Sequence, residues 1–399
     1  MSAPPARHEV WITSLAAGGE GVARLDDGRV CFVAGTAPGD RARIELLDER
    51  PRFARARVVE LLEAGAARTD PVCAVFGSCG GCAWQHVDYP AQLEAKRGIL
   101  RDALVRIGGL DLPGEIRVVP SPSPYGYRGR TRVLVRDGRV GYRRSRSHAL
   151  CATARCPVLV PPLERALGDF AADPPPMDGE WELVADTRGG VRRSPVPAAR
   201  PRPGSDRGAR ERGARVVVQA GPDTLELSPH VFTQSNALLL PTLVDSLLAA
   251  AGEGALALEL YAGAGCFTLG LARRFARVVA VEADPAAGRD LERNLRAAGC
   301  AGATALRERA EDVVLRWRDA TPDVVVLDPP RRGMARGGAE ALAGLGAPRV
   351  VHLACDPATL ARDLALLVSR GYALDAITAF DLFPQTPHVE ALAVLRKRV

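Results

Sequence analysis

From residue 226 to the C-terminus, short β-like apolar runs alternate with helix-like runs, and this alternation constrains the fold more than any other feature. The run 255–260 is followed by a glycine-rich turn and a helix-like stretch over 269–275. Next, 277–281 precedes 286–298, and the runs 323–327 and 349–353 complete the series. Such alternation predicts an α/β, Rossmann-like parallel doubly wound sheet. In that architecture ligands bind beyond the carboxyl ends of the strands.

A chain of 399 residues is too long for one small core, so further domains are expected ahead of this sheet. Short β-like runs at 10–14, 30–33, 41–46 and 55–61 are punctuated by Gly18-Gly19-Glu20-Gly21, Asp27-Gly28 and Pro38-Gly39-Asp40. This spacing predicts a small OB-like barrel over residues 1–63. Residues 64–225 read as an α+β central domain carrying cysteines, and 226–399 as the doubly wound domain. Within the central region, 188–215 is rich in Arg, Pro and Gly and reads as a flexible insertion.

No uninterrupted apolar run reaches the length of about 18 residues that a membrane helix needs. The first ten residues contain no apolar signal segment, so no export or membrane association is expected. Nine cysteines, an odd number, then point to a reducing cytosol and to metal binding or catalysis. The net charge of +6 favours a polyanionic partner. Of the 53 basic residues only Lys96 and Lys397 are lysine, so much of the arginine reflects overall composition, and the charge carries less weight than it suggests.

Four segments carry chemistry. Cys73, Cys79 and Cys82, within Gly77-Ser78-Cys79-Gly80-Gly81-Cys82, place three soft ligands on one tight loop, with Cys156 or Cys151 available as a fourth. Four thiolates suit either an iron–sulfur cluster or structural zinc, and the flanking glycines favour the cluster. Glu259-Leu260-Tyr261-Ala262-Gly263-Ala264-Gly265-Cys266 closes the first strand of the doubly wound sheet, where glycines permit close approach to a nucleoside. Glu282, ending the next strand, is placed to bind ribose hydroxyls. Asp328-Pro329-Pro330-Arg331 ends another strand. An amino-methylating enzyme would carry an aromatic residue after the prolines, whereas here Arg331 stands in that place. The last segment pairs Cys355, on a turn between strand and helix, with Glu390, beyond the Pro-broken loop Phe383-Pro384-Gln385-Thr386-Pro387-His388. A helix N-terminus favours thiolate, so Cys355 reads as a nucleophile and Glu390 as a base. His388 reads as structural.

In combination these segments resemble the RNA uracil-5-methyltransferase family over nearly the whole chain, apart from 188–215. Gly19-Glu20-Gly21-Val22-Ala23-Arg24 and Val33-Ala34-Gly35-Thr36-Ala37-Pro38-Gly39-Asp40 resemble the TRAM domain, an RNA-binding barrel. The resemblance implies a [4Fe–4S] cluster on Cys73, Cys79, Cys82 and Cys156. It implies an S-adenosyl-L-methionine site contacted by Gln234, Tyr261, Glu282 and Asp328, with Cys355 as nucleophile and Glu390 as base. The implied reaction methylates carbon 5 of a uridine in RNA, with large-subunit (23S) ribosomal RNA favoured and transfer RNA as the alternative. A monomeric, cytoplasmic protein is expected. Glu259, Cys266, Arg309 and Asp356 stand where the family more often has Asp, Asn, Asn and Asn. A catalytically weak ribosome assembly factor is the rival reading, supported by the departures at Cys266 and Arg309.

Overall fold

The computed structural model describes residues 7–196, 215–335 and 337–398. It opens with six strands: β1 (Arg7–Trp11), β2 (Ser14–Leu15), β3 (Gly21–Arg24), β4 (Val30–Ala34), β5 (Arg41–Glu49) and β6 (Phe53–Glu63), in the order β1-β5-β6-β4-β3-β2. Alternation builds them. In β5 and β6, Ala42, Ile44, Ala54 and Ala56 turn inward onto Val10, Ile12, Ala23, Cys31 and Val33, while arginines between them point outward. Gly21-Val22-Ala23-Arg24, part of which reads as turn in the sequence, forms β3 against β4. Buried Asp40 ties the barrel to the segment 65–68, accepting hydrogen bonds from Arg68 Nε (3.0 Å) and Gly65 N (2.9 Å) as well as from Ala37 N (2.7 Å).

After the cysteine loop, Asp88 caps helix α1 (Tyr89–Asp102), and a π-helical turn leads to strand β7 (Arg117–Val119). A five-stranded antiparallel sheet comes next. It contains β8 (Arg130–Arg136), β9 (Arg139–Arg143), β10 (Leu150–Ala152), β11 (Gly179–Ala185) and β12 (Val191–Pro195), with helix α2 (Pro161–Ala172) packed on it. The flexible reading of 188–215 is corrected at its start. Residues 191–195 are the strand β12, paired with β11 from Val191↔Ala185 to Pro195↔Trp181, and 197–214 lie outside the described residues. The segment 64–225 is also divided in space, because α1 packs into the core of the C-terminal sheet and β7 pairs with one of its strands.

The hairpin β13 (Val216–Ala220) and β14 (Asp223–Leu227) precedes α3 (Leu240–Ala251), β15 (Gly254–Leu260), α4 (Thr268–Leu271), β16 (Phe275–Val281), α5 (Pro285–Ala297) and β17 (Ala303–Leu306). Then come α6 (Ala310–Arg316), β18 (Val324–Leu327), α7 (Gly338–Gly344), β19 (Arg349–Ala354), α8 (Pro357–Ser369), β20 (Tyr372–Phe380) and β21 (Glu390–Lys397). They form an eight-stranded sheet ordered β17-β16-β15-β18-β19-β21-β20-β7. Strands β17, β16, β15, β18 and β19 run parallel, and the central β18 is buried along its whole length, which is why it reads as a continuous Val/Leu run rather than an alternating one. The wholly parallel expectation fails at β21, which runs antiparallel to both β19 and β20. Asp-Pro pairs start two of the helices. Asp284 caps α5 and Asp356 caps α8, each with proline at the first helical position.

Candidate active site

The sheet brings the sequence-predicted residues to one edge by a simple register. Leu260 pairs with both Val281 and Leu327, and Leu327 with His352. The next residues after three of these strand ends are Tyr261, Glu282 and Asp328, and Cys355 comes directly after the end of β19. The last registered pair of β19 and β21 is Ala354 with Ala391. One step beyond it stand Cys355 on one strand and Glu390 on the other. Antiparallel insertion of β21 therefore aims a residue from the chain's far end into a site otherwise built from parallel strand ends.

Each side chain is held differently. Glu282 Oε2 accepts a hydrogen bond from Gly263 N at 2.8 Å and its Oε1 one from Asp284 N at 2.6 Å. Gly263 sits at φ +58°, and a Cβ there would meet nothing within 4 Å, so the turn faces open space suited to a nucleoside. Tyr261, at φ +61°, donates from its hydroxyl to Glu311 Oε1 at 2.9 Å. Glu311, which carries no motif in the sequence, also accepts from Ala335 N at 3.3 Å. Asp328 is not the helix cap that an Asp-Pro turn can also be. Its carboxylate accepts from Gln234 Nε2 at 3.4 Å, uniting two predicted cofactor contacts. Arg309, by contrast, is exposed and leans on Glu311 at 3.7 Å.

Buried acids accumulate here, and some of their oxygens lack partners among the described residues. Glu259 is 1% exposed, and neither of its carboxylate oxygens nor Thr268 Oγ1 has a hydrogen-bond partner among the described residues. Burial pushes Glu259 up to about 8, against the lowering influence of the Thr268 hydroxyl. Burial lifts Asp328 to about 7, with Gln234 opposing. Glu390, also 1% exposed, is raised well above the usual carboxylate range by burial and by Asp328, while Arg331 opposes. A pocket of this kind suits a cationic ligand, which would relieve the crowding of negative charge. The Glu259 shift has a stability consequence. An acid held above its unfolded value near 4.5 stabilises the fold while protonated, and that contribution is lost as pH rises through about 8. Glu259→Gln does not titrate, so it is expected to melt several degrees above the wild type at about pH 8, with the difference shrinking towards about pH 5. A difference independent of pH in thermal melts would show that Glu259 is already ionised and paired.

Cys355 departs from expectation in one respect. The amides at the start of α8 are taken by Asp356 Oδ1, which accepts from Ala358 N (3.0 Å) and Thr359 N (2.9 Å), so the helix N-terminus is not free to stabilise a thiolate. Burial, then Glu390 and Asp328, push the Cys355 thiol up to about 11, and Arg331 pulls it down. Arg331 is thus the cation of the site. It also contacts His388 at 3.2 Å, whose ring burial holds neutral, its pKa lowered to about 4. His388 packs edge-on to Phe383 and acts as a support, as the sequence indicates.

The cysteine loop forms a second centre. Cys73, Cys79, Cys82 and Cys156 line one cavity of about 360 Å³, together with Gln85, Tyr142 and Arg128. Cys151 lies buried in β10 and does not line it. Burial raises Cys79 to about 11 and Cys82 to about 12, each further raised by neighbouring cysteines. Among the described residues no group of three or more His, Cys, Asp or Glu is gathered tightly enough to hold a single metal ion. Tyr127 is buried beside this cavity, with its hydroxyl donating to Pro384 O at 2.9 Å.

The tRNA (Uracil-5-)-methyltransferase family profile matches residues 223–398, and that of the TRAM domain matches residues 6–59. An uncharacterized RNA methyltransferase of Thermosynechococcus vestitus is 34% identical, over 97% of each chain. The 23S rRNA (uracil(1939)-C(5))-methyltransferase RlmD of Halomonas elongata is 34% identical over 98% of this chain and 89% of its own. Among solved structures, the Pyrococcus abyssi tRNA (uracil-54, C5)-methyltransferase in complex with S-adenosyl-L-homocysteine superposes with a TM-score of 0.74 at 24% identity. That match covers 98% of this chain and 100% of the other. No helix among the described residues is long and apolar enough to cross a membrane.

Proposed function

Since the chain belongs to the RNA uracil-5-methyltransferase family, we propose that it methylates carbon 5 of a uridine in large-subunit ribosomal RNA, using Cys355 and Glu390 as its catalytic pair. The observation that carries this reading is the β19–β21 register, which continues from Ala354↔Ala391 to bring the Cys355 thiol and the Glu390 carboxyl to neighbouring positions on two strands. S-adenosyl-L-methionine, when bound, supplies a methyl group on a positively charged sulfur. Gln234, Tyr261, Glu282 and Asp328 hold it, with Glu282 directed to the ribose, and the buried acids with unpartnered oxygens fit its positive charge.

Carbon 5 of uracil is too weak a nucleophile to take a methyl group unaided. The Cys355 thiolate bonds to carbon 6, and the electron pair displaced from the C5–C6 double bond makes an enolate whose carbon 5 takes the methyl group, the pair of the broken methyl–sulfur bond staying on the donor sulfur. Arg331, beside Cys355 and Glu390, favours the thiolate needed for the first step. Glu390 then takes the carbon-5 proton, the C6–S bond breaks, and Cys355 leaves as thiolate. Burial raises the basicity of Glu390, in the direction that removal of a carbon-bound proton needs. The uridine must leave any stack to enter the pocket, and splayed loop bases are the natural target.

The four-cysteine cavity holds, on this reading, a [4Fe–4S] cluster. Four thiols lining one cavity, three of them on a loop with flanking glycines, suit such a centre. Its role is structural, because methyl transfer moves no net electron. The barrel contributes RNA affinity through outward arginines such as Arg55 and Arg57. Ribosomal RNA is favoured over transfer RNA by relatives of RlmD name at 34% identity. The test is to map methylation in ribosomal and transfer RNA from cells lacking the protein, after adding it back. A 5-methyluridine restored in large-subunit RNA is the expected outcome. Restoration only in transfer RNA would move the substrate, and a methyl on an exocyclic amine would overturn the reaction.

A further inference from the structure

Glu390 lies at the end of a loop whose support comes from outside the C-terminal sheet. Its buried Oε1 has no hydrogen-bond partner among the described residues. The carboxyl is therefore aimed by its backbone rather than by a side-chain neighbour, and the backbone just before it is the segment 381–389. Almost every carbonyl at the start of that segment is bound. Lys96 Nζ donates to Phe383 O at 2.9 Å and forms a buried ion pair with Asp381. Asn236 Nδ2 donates to Leu382 O at 3.3 Å, and Tyr127 to Pro384 O. Gln385, a non-glycine residue at φ +67°, is locked by Gln92 through two bonds. Gln92 Nε2 donates to Gln385 Oε1 at 3.0 Å, and Gln385 N donates to Gln92 Oε1 at 2.9 Å. Gln385 O in turn accepts from Ala83 N (2.9 Å) and Trp84 N (3.0 Å), the residues directly after the cysteine loop.

Gln92 and Lys96 stand one turn apart on α1, on the same face, and both are fully buried. Buried polar residues on a helix are costly unless fully bonded, and these two direct their bonds to one loop. Lys96 is one of only two lysines in a chain that uses arginine elsewhere. Its compact ammonium fits between a carboxylate and a carbonyl where a planar guanidinium would not. We propose that Gln92 and Lys96 are positioning residues for the proton-removal step, setting the 381–389 loop so that Glu390 meets the carbon-5 proton; this rests on the reading of Glu390 as base.

The test tracks methyl incorporation and tritium release in single turnovers of the full-length protein. The substrate is large-subunit RNA carrying tritium at uracil carbon 5, taken from cells lacking the enzyme. The variants are Gln92→Met, Lys96→Met combined with Asp381→Asn so that no lone charge stays buried, and Glu390→Gln. Both α1 variants are expected to incorporate methyl at close to the wild-type rate and to bind S-adenosyl-L-methionine normally. Their tritium release should lag by about 10-fold to 10²-fold, the scale of a catalytic group displaced by about 1 Å. Methyl incorporation and tritium release slowing together, or neither slowing, in either variant that folds would overturn the positioning role. If Glu390→Gln stalls tritium release while both α1 variants do not, only this proposal falls. If Glu390→Gln itself releases tritium normally, the base assignment falls and takes the proposal with it.

Discussion

Glu390→Gln is expected to leave methylated RNA covalently attached to the protein, in an adduct that survives denaturing electrophoresis. The substitution keeps the shape of the side chain and removes a buried acid beside Asp328, so folding and cofactor binding should persist. Addition of Cys355 to carbon 6 and methyl transfer to carbon 5 precede the step that needs a base. Only elimination should stall, and loss of a general base typically costs about 10²–10⁴-fold. Cys355→Ala should show the opposite pattern, with no adduct and no methylation, because nothing else activates carbon 5. The Cys355→Ala, Glu390→Gln double variant should match Cys355→Ala alone. An adduct in that double variant would place the nucleophile elsewhere, with the Cys266 thiol, close to Asp328, as the first candidate.

Replacing Cys73, Cys79, Cys82 or Cys156 singly by Ala should remove iron and the broad visible absorbance from anaerobically purified protein, whereas Cys151→Ala should keep both. All four of the former line one cavity and Cys151 lies outside it, within β10. Loss should also reach the active site, because the chain leaving this loop bonds through Ala83 and Trp84 to Gln385 O. Methylation should therefore fall along with the iron content although no electron is required. Stoichiometric zinc without iron in the wild type would sink the cluster assignment, and retention of iron in Cys156→Ala would reopen the choice of fourth ligand.

The sequence carries the local decisions because they depend on near neighbours. Valine-rich runs that are buried on both faces declare parallel strands. Asp284-Pro285 and Asp356-Pro357 declare helix starts, since a carboxylate caps free amides and proline needs none. Residues placed just past strand ends, Tyr261, Glu282, Asp328 and Cys355, emerge from that pattern, as does the spacing of Cys73, Cys79 and Cys82. Pairing between distant segments was decided by tertiary structure. Antiparallel entry of β21 placed Glu390 across from Cys355, and no local signal marks strand direction. β7, far earlier in the chain than its partner β20, completed the sheet. Asp356 took the amides that would have lowered the Cys355 thiol, and burial, with Glu390 and Asp328 nearby, raised it instead. The burial of Gln92 and Lys96 is likewise a property of the elements packed against them, and the loop they hold lies almost 300 residues away.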